Sequence, residues 1–198
     1  MRHQINTRVA RLRPTQITIS MQRVAQVRAQ IRGALVRGQL NDFLTWRVFS
    51  GVLGPDGAVY VIDDHHIARA LGDEAVETCI VAIQRDLSNV IPDRFWIAME
   101  RQGFVHPVDA SGRRRAFASI PRLLAQLEDD PYRTLAVNVR DNGGCSWEGA
   151  AAEIMWANFL RPRVPATVLA ASTEEALRMA LTEVRSEAAR HLPGWKPA

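Results

Sequence analysis

The segment Val59–Gly72, VYVIDDHHIARALG, decides how this chain is to be read. Val59 to Ile62 is a short run of strand-forming residues, whereas Ile67, Ala70 and Leu71 recur at helical spacing until Gly72. Between the two patterns stand Asp63, Asp64, His65 and His66. Two carboxylates and two imidazoles therefore sit where a strand feeds a helix. The first N–H groups of a helix lack intrahelical partners and carry partial positive charge, so such a corner attracts an anion or a capping aspartate. Histidine adds donors there and titrates near neutral pH, so one ring can hold a phosphate while the other moves a proton.

Working upstream, Gly54-Pro55-Asp56-Gly57 is a tight turn that joins this strand to an earlier one, Arg47–Leu53, as a hairpin. A connection containing Phe43 and Trp46 precedes it. From Met21, Val24, Val27, Ile31 and Leu35 recur at helical spacing, with Ser20 suited to the N-cap and Gly38 to the stop. Arg8–Leu12 alternates as a short strand, which Arg13-Pro14-Thr15-Gln16 breaks as a turn.

Downstream, Glu77–Asp86 reads as a further strand, and the pattern then becomes mostly helical. Phe95, Trp96 and Met99 mark one helix, Ile120, Leu123, Leu124 and Leu127 another, and Leu135, Val137 and Val139 a third. Ala150–Leu160 suits a buried helix, with Trp156 and Phe159 as core residues, and Arg161-Pro162-Arg163 and Pro165 end it. The last helix is expected over Thr173–His191, capped by Ser172 or Thr173 ahead of Glu174 and Glu175. The fold expected is α+β: a small mixed sheet with packed helices over residues 1–90, and a helical extension over 91–198 packed on it as one compact unit.

A chain of 198 residues, 47% of them hydrophobic, is long enough for one sizeable core. The basic N-terminus, MRHQINTRVARLRPTQ, lacks the apolar stretch of a signal peptide, and no segment approaches the run of about 18 apolar residues of a membrane helix. A cytoplasmic protein without a membrane partner is expected. Cys79 and Cys145 have no metal-type spacing, so neither a disulfide framework nor a zinc knuckle is expected. The net charge of +4 and pI of about 9.8 permit an acidic partner. Lys196 is the only lysine in the chain, which argues against Schiff-base chemistry and the P-loop grip on phosphate. Phosphates would instead be held by arginine forks, histidine and backbone N–H groups.

Adjacent His65 and His66 lack the i, i+4 spacing of a helical zinc pair, so no transition metal is expected, whereas Mg²⁺ carried with a nucleotide fits. Arg69 lies on the same helix as the two histidines. His106-Pro107-Val108-Asp109 followed by Gly112-Arg113-Arg114-Arg115 can bring a basic loop to phosphates, the competing reading being a solvated arginine turn. Asp130-Pro131-Tyr132-Arg133 reads as a break between helices whose Tyr132 and Arg133 face a cleft.

The ordered segments RPTQ, IDDHHIARAL, FVHPVDASGRRR, IPRLL, DDPYRTLA and FLRPR resemble the ParB-like proteins labelled as nucleases, over about Thr7 to Val164. More distantly, the corner is similar to the Asp-Gly-His-His-Arg phosphate motif of free serine kinases with the ParB/sulfiredoxin fold. Asp63, His65 and His66 match it, Asp64 stands for its glycine and Ile67 for its arginine. The resemblance implies a ParB/sulfiredoxin-like sheet and a nucleotide, ATP, ADP or CTP with Mg²⁺, whose phosphates lie on the helix beginning at Asp63–His66. Those kinases carry an acidic residue in the loop after the first strand, where this chain has Gln16, a side chain that cannot be a general base.

The function expected is an enzyme that binds a nucleotide or another phosphorylated small molecule and catalyses phosphoryl transfer or phosphate-ester hydrolysis. Asp63, Asp64, His65 and His66 are its catalytic candidates. His65, His66, Arg69, Arg113, Arg114 and Arg115 are candidates for phosphate, and Gln16, His106, Asp109, Tyr132 and Arg133 for the cleft. Two alternatives stand beside it: a nuclease or DNA-binding protein, and a non-catalytic nucleotide-binding or partition-like protein. The helix-turn-helix domain and arginine-rich motif of chromosome-partitioning ParB proteins are not evident.

Overall fold

Alternation along Val59–Ile62 gives that strand two chemically different faces, and the structure covers both. The computed structural model of the protein describes residues 3–45 and 47–197; Trp46 lies outside them. The backbone forms two compact units, one running to Asp109 and including Arg114–Glu128, the other made of Ala110–Arg113 and the residues from Asp129 on.

The first unit holds β1 (Gln4–Arg8), β2 (Leu12–Arg13), β3 (Thr18–Ile19), α1 (Met21–Val36), α2 (Leu40–Thr45), β4 (Val48–Leu53), β5 (Val59–Val61), α3 (His65–Asp73), β6 (Thr78–Asp86) and α4 (Pro92–Arg101). Five strands form a mixed sheet in the order β1-β6-β4-β5-β2, with β1/β6 and β4/β5 antiparallel and β4/β6 and β2/β5 parallel. Val59 and Val61 join Val24, Val27, Ile31, Ala68 and Leu71 in a core shared with α1 and α3. Tyr60 and Ile62 pack instead with Phe95, Met99 and Val105. At Gly51, beside a register shift, a Cβ would lie 2.6 Å from Val81 Cγ1, so only glycine lets β4 pass β6 this closely. Just after α3, Glu74 receives Arg28 Nε at 2.6 Å and Arg32 Nε at 2.7 Å. Hydrogen bonds from these two arginines of α1 hold its carboxyl at about 2.

The second unit contains α5 (Pro131–Asp141), α6 (Gly149–Leu160), α7 (Ala166–Ala171) and α8 (Thr173–Val184) around Leu135, Trp156, Leu160 and Val184. Ser172 Oγ accepts the Glu175 N–H, the cap its sequence implied. Among the described residues, no helix is long and apolar enough to cross a membrane.

The fold is α+β, but several local expectations need correction. Arg8–Leu12 is not one strand: β1 ends at Arg8 and residues Val9–Arg11 form a 3₁₀ turn. Val9 and Leu12 are both buried, and their spacing of three is met by a helical turn rather than by alternation. The helix expected over Ile120–Leu127 is absent, replaced by 3₁₀ turns at Phe117–Ser119 and Leu124–Gln126. Pro121 removes a backbone donor between them, and Ile120 joins a different core cluster from Leu124 and Leu127. The last helix stops at Val184 rather than His191, where the Ser186 hydroxyl donates to Glu183 O at 2.7 Å. The short helices α2 and α7 escaped the pattern because one and a half turns give too little periodicity to read.

Candidate active site at the strand-to-helix corner

Since β5 ends at Val61 and α3 begins at His65, the chain has three residues in which to turn. Asp64 makes the turn with φ 56° and ψ 30°, a left-handed conformation that aspartate tolerates better than most residues. Its carbonyl accepts the N–H groups of Ile67 at 2.9 Å and Ala68 at 3.0 Å, which starts the helix. Asp63 Oδ1 accepts the Asp64 N–H at 2.8 Å. The aspartate cap suggested by the sequence does not form, because a capping residue needs an extended backbone to fold its side chain over the first turn.

Burial, and then the charge of Asp63, push the Asp64 carboxyl above the usual carboxylate range, while Arg23 and Arg47 pull it back. Neither arginine stood out in the sequence. Arg23 lies on the first turn of α1, and Arg47, just ahead of β4, rests on the Phe43 ring at 3.7 Å. Only the packing of α1 beside α3 and the sheet brings them to the corner.

His65 is 2% exposed, and its Nε2 accepts the Thr15 N–H at 3.1 Å. The Thr15 hydroxyl donates to Val61 O at 2.8 Å, and the His106 N–H donates to Thr15 O at 2.8 Å. Thr15 thus ties the RPTQ turn to the end of β5, to α3 and to the His106 segment. With Nε2 as acceptor, the proton of a neutral His65 ring is assigned to Nδ1. The bridge between Gln16 and His106 completes this junction. Gln16 is buried and its Oε1 has no hydrogen-bond partner among the described residues. His66, by contrast, is half-buried.

Of the other candidates in this unit, Arg69 donates to Asp73 at 2.8 Å and to Ala125 O at 2.9 Å, fastening the Leu124–Gln126 turn to α3. It also borders a cavity of about 630 Å³ lined by Leu12, Gly72, Val76 and Leu124, while a second, of about 670 Å³, lies between α1 and α2. Neither is lined by Asp63, Asp64, His65 or His66. Arg114 pairs with Glu100 at 2.5 Å, and Arg115 with Asp109 at 2.5 Å.

In the helical unit, the Tyr132 hydroxyl donates to Val164 O at 2.8 Å and Arg133 is buried against Glu153 at 2.6 Å. Arg161 donates to Ala110 O at 2.6 Å and to Asp130 at 2.7 Å, with its guanidinium 4.6 Å from the Tyr132 ring, contacts that no local sequence pattern marks. Arg113 is exposed there. Among the described residues, no group of three His, Cys, Asp or Glu is arranged to hold a metal ion. Burial pushes the thiols of Cys79 and Cys145 up to about 11.

A family model described as "Putative ParB-like nuclease" matches residues 5–162, a span that takes in the RPTQ turn, the corner, the arginine run, Asp130 and Arg161. The chain belongs to the ParB-like nuclease family. The crystal structure of protein Atu1540 from Agrobacterium tumefaciens is similar to this ParB-like chain, with a TM-score of 0.90, 35% identity, and coverage of 99% of this chain and 97% of that one. No curated protein matches this ParB-like chain.

Proposed function

We propose that this ParB-like chain is an enzyme acting on a phosphate ester at the Asp63–His66 corner, with a nucleotide or another phosphorylated small molecule as ligand. The observation that carries the reading is the half-buried Asp64 carboxyl, raised above its ordinary range beside Arg23 and Arg47 at the start of α3. Carboxylates with raised pKa beside cations are frequent in sites of proton transfer. In the proposed step the phosphate lies at the start of α3, with Arg23 and Arg47 neutralising its charge. Asp64 takes the proton from the attacking water or acceptor hydroxyl as the new P–O bond forms and the ester P–O bond breaks. His66 returns a proton to the leaving oxygen. His65 positions the RPTQ turn through Thr15. Placement and charge stabilisation dominate such chemistry, so a site built from cations and one base suffices in kind.

A second reading has the phosphodiester of a nucleic acid as substrate, which the family's description as a nuclease and the net charge of +4 favour. Calorimetry with ATP, ADP and CTP, each with Mg²⁺, run beside a DNA titration at two salt concentrations, separates the two. Binding of a nucleotide, weakened by His66→Ala, with turnover lost in Asp64→Asn, supports the first. DNA affinity that falls steeply with salt, accompanied by strand cleavage, supports the second. No binding and no turnover with any of these ligands overturns both.

A further inference from the structure

We propose that the cavity at the C-terminal end of α3 is a binding site for a short peptide with free ends and apolar side chains. Its volume of about 630 Å³ falls in the range of small-ligand pockets, roughly 300–1,000 Å³. Val9, Leu12, Val76 and Leu124 give it an apolar floor, and Leu123, 46% exposed, stands at its border. None of the corner residues Asp63–His66 lines it, so the site is independent of the reaction proposed above. Its wall is fixed before a ligand arrives, because Arg69 ties the Leu124–Gln126 turn to α3 through Ala125 O at 2.9 Å and is itself held by Asp73 at 2.8 Å. A preorganised wall lowers the entropy lost on binding.

Two residues of this cavity run against local stability. Gly72 lies within α3, where alanine is the better helix former. Outside its own helix and chain neighbours, a Cβ there would meet only Val9 Cγ1, at 3.8 Å, which is ordinary contact. Packing therefore does not require glycine, whose effect is to leave space beside Val9. Three residues on, Ala75 has φ 53°, a left-handed conformation that glycine adopts without steric cost. Alanine accepts strain there and adds a methyl group to the cavity lining. A glycine where alanine would stabilise, and an alanine where glycine would relax the chain, shape one surface for contact with a ligand rather than for folding.

The charges at the border select the ligand. Arg8, at the end of β1, and Glu77, just ahead of β6, both border the cavity and are exposed. Among the described residues neither side chain forms a hydrogen bond or an ion pair, with the other or with a third group. The border thus offers one uncommitted cation and one uncommitted anion beside an apolar floor, the complement of a zwitterion with an apolar body. Arg8 takes the peptide's carboxylate in its fork, Glu77 takes the ammonium, and the side chains lie on the floor. A cavity of this volume holds more than one side chain, which favours a peptide over a single amino acid.

The test is calorimetry on the full chain with the dipeptide leucyl-leucine, its N-acetyl form, its C-terminal amide and free leucine. Each blocked form is expected to bind about tenfold more weakly than the dipeptide, as the loss of one charged hydrogen bond implies, and free leucine should be weaker by a similar factor. Arg8→Ala should bind the dipeptide and its amide alike, and Glu77→Ala should no longer distinguish it from the N-acetyl form. Gly72→Ala should raise the melting temperature yet weaken the dipeptide, whereas a glycine with a merely structural role would leave affinity unchanged. Absence of saturable binding by the wild-type chain, free leucine binding as tightly as the dipeptide, or full discrimination retained in Arg8→Ala and Glu77→Ala each overturns the proposal. None of these readouts depends on turnover at the corner, so the functional reading stands or falls separately.

Discussion

The corner at Asp63–His66 and the clasp at Arg161 are both built from charged side chains, yet they balance charge in opposite ways. In the clasp, Arg161 is matched to Asp130 at 2.7 Å, and the fork's other arm is matched to a carbonyl. At the corner, Asp64 has Asp63 as its neighbour in sequence, and burial leaves its carboxyl above the ordinary range in spite of Arg23 and Arg47. A matched pair fixes architecture. A carboxylate whose charge is only partly repaid is available for chemistry, and this separates a candidate site from a polar joint.

The largest effect expected tests the matched side. Asp130→Ala removes a 2% exposed partner and strands the Arg161 charge, which should cost about 3–5 kcal/mol by urea denaturation. A loss under about 1 kcal/mol would show that the clasp holds nothing together, since that is the range of surface pairs. Next comes the latch inside the corner. His65→Ala leaves the buried Thr15 N–H without its acceptor and should cost about 1–3 kcal/mol, with a further term for the vacated space. His66→Ala empties a half-buried rather than a buried position and should cost less than His65→Ala, about 1 kcal/mol. Equal losses from the two histidine variants would dissolve the distinction between a buried ring that accepts the Thr15 N–H and a half-buried one.

The smallest effect concerns pH and carries a sign. A carboxyl whose folded pKa exceeds its unfolded value destabilises the fold when ionised, so this penalty is complete above the folded pKa and fades as pH falls towards the ordinary range. Asp64→Asn keeps a residue that accepts the left-handed backbone and removes the charge. Its melting temperature should exceed that of the wild type at pH 8, and the two should converge near pH 4. A variant that melts lower at pH 8 would mean that ionised Asp64 is already repaid, and the contrast with the clasp would fail.

Much of the frame was legible because it is written in short-range pattern. The change of period at Asp63 placed the corner, Ser20 and Ser172 were read as caps, and the hairpin followed from its turn. Hydrogen bonds along a helix or across a tight turn join residues close in sequence, so composition over a few positions is enough to specify them. The turns near Phe117 and Leu124 depart from the helix that the spacing predicts because their apolar residues serve two different cores, and a single apolar spacing cannot say which core each one enters.

By itself, then, the sequence determined where backbone changes direction and which ionisable groups stand at that bend. Tertiary structure alone decided their burial and their partners. Thr15 and His65 are 50 residues apart, and Ala110 and Arg161 are 51 apart, so no local spacing records that they meet. The same holds for Arg23 and Arg47, which reach Asp64 only because α1 and the sheet are packed beside α3. Burial sets the cost of each charge and packing sets its partner, and both depend on segments distant along the chain.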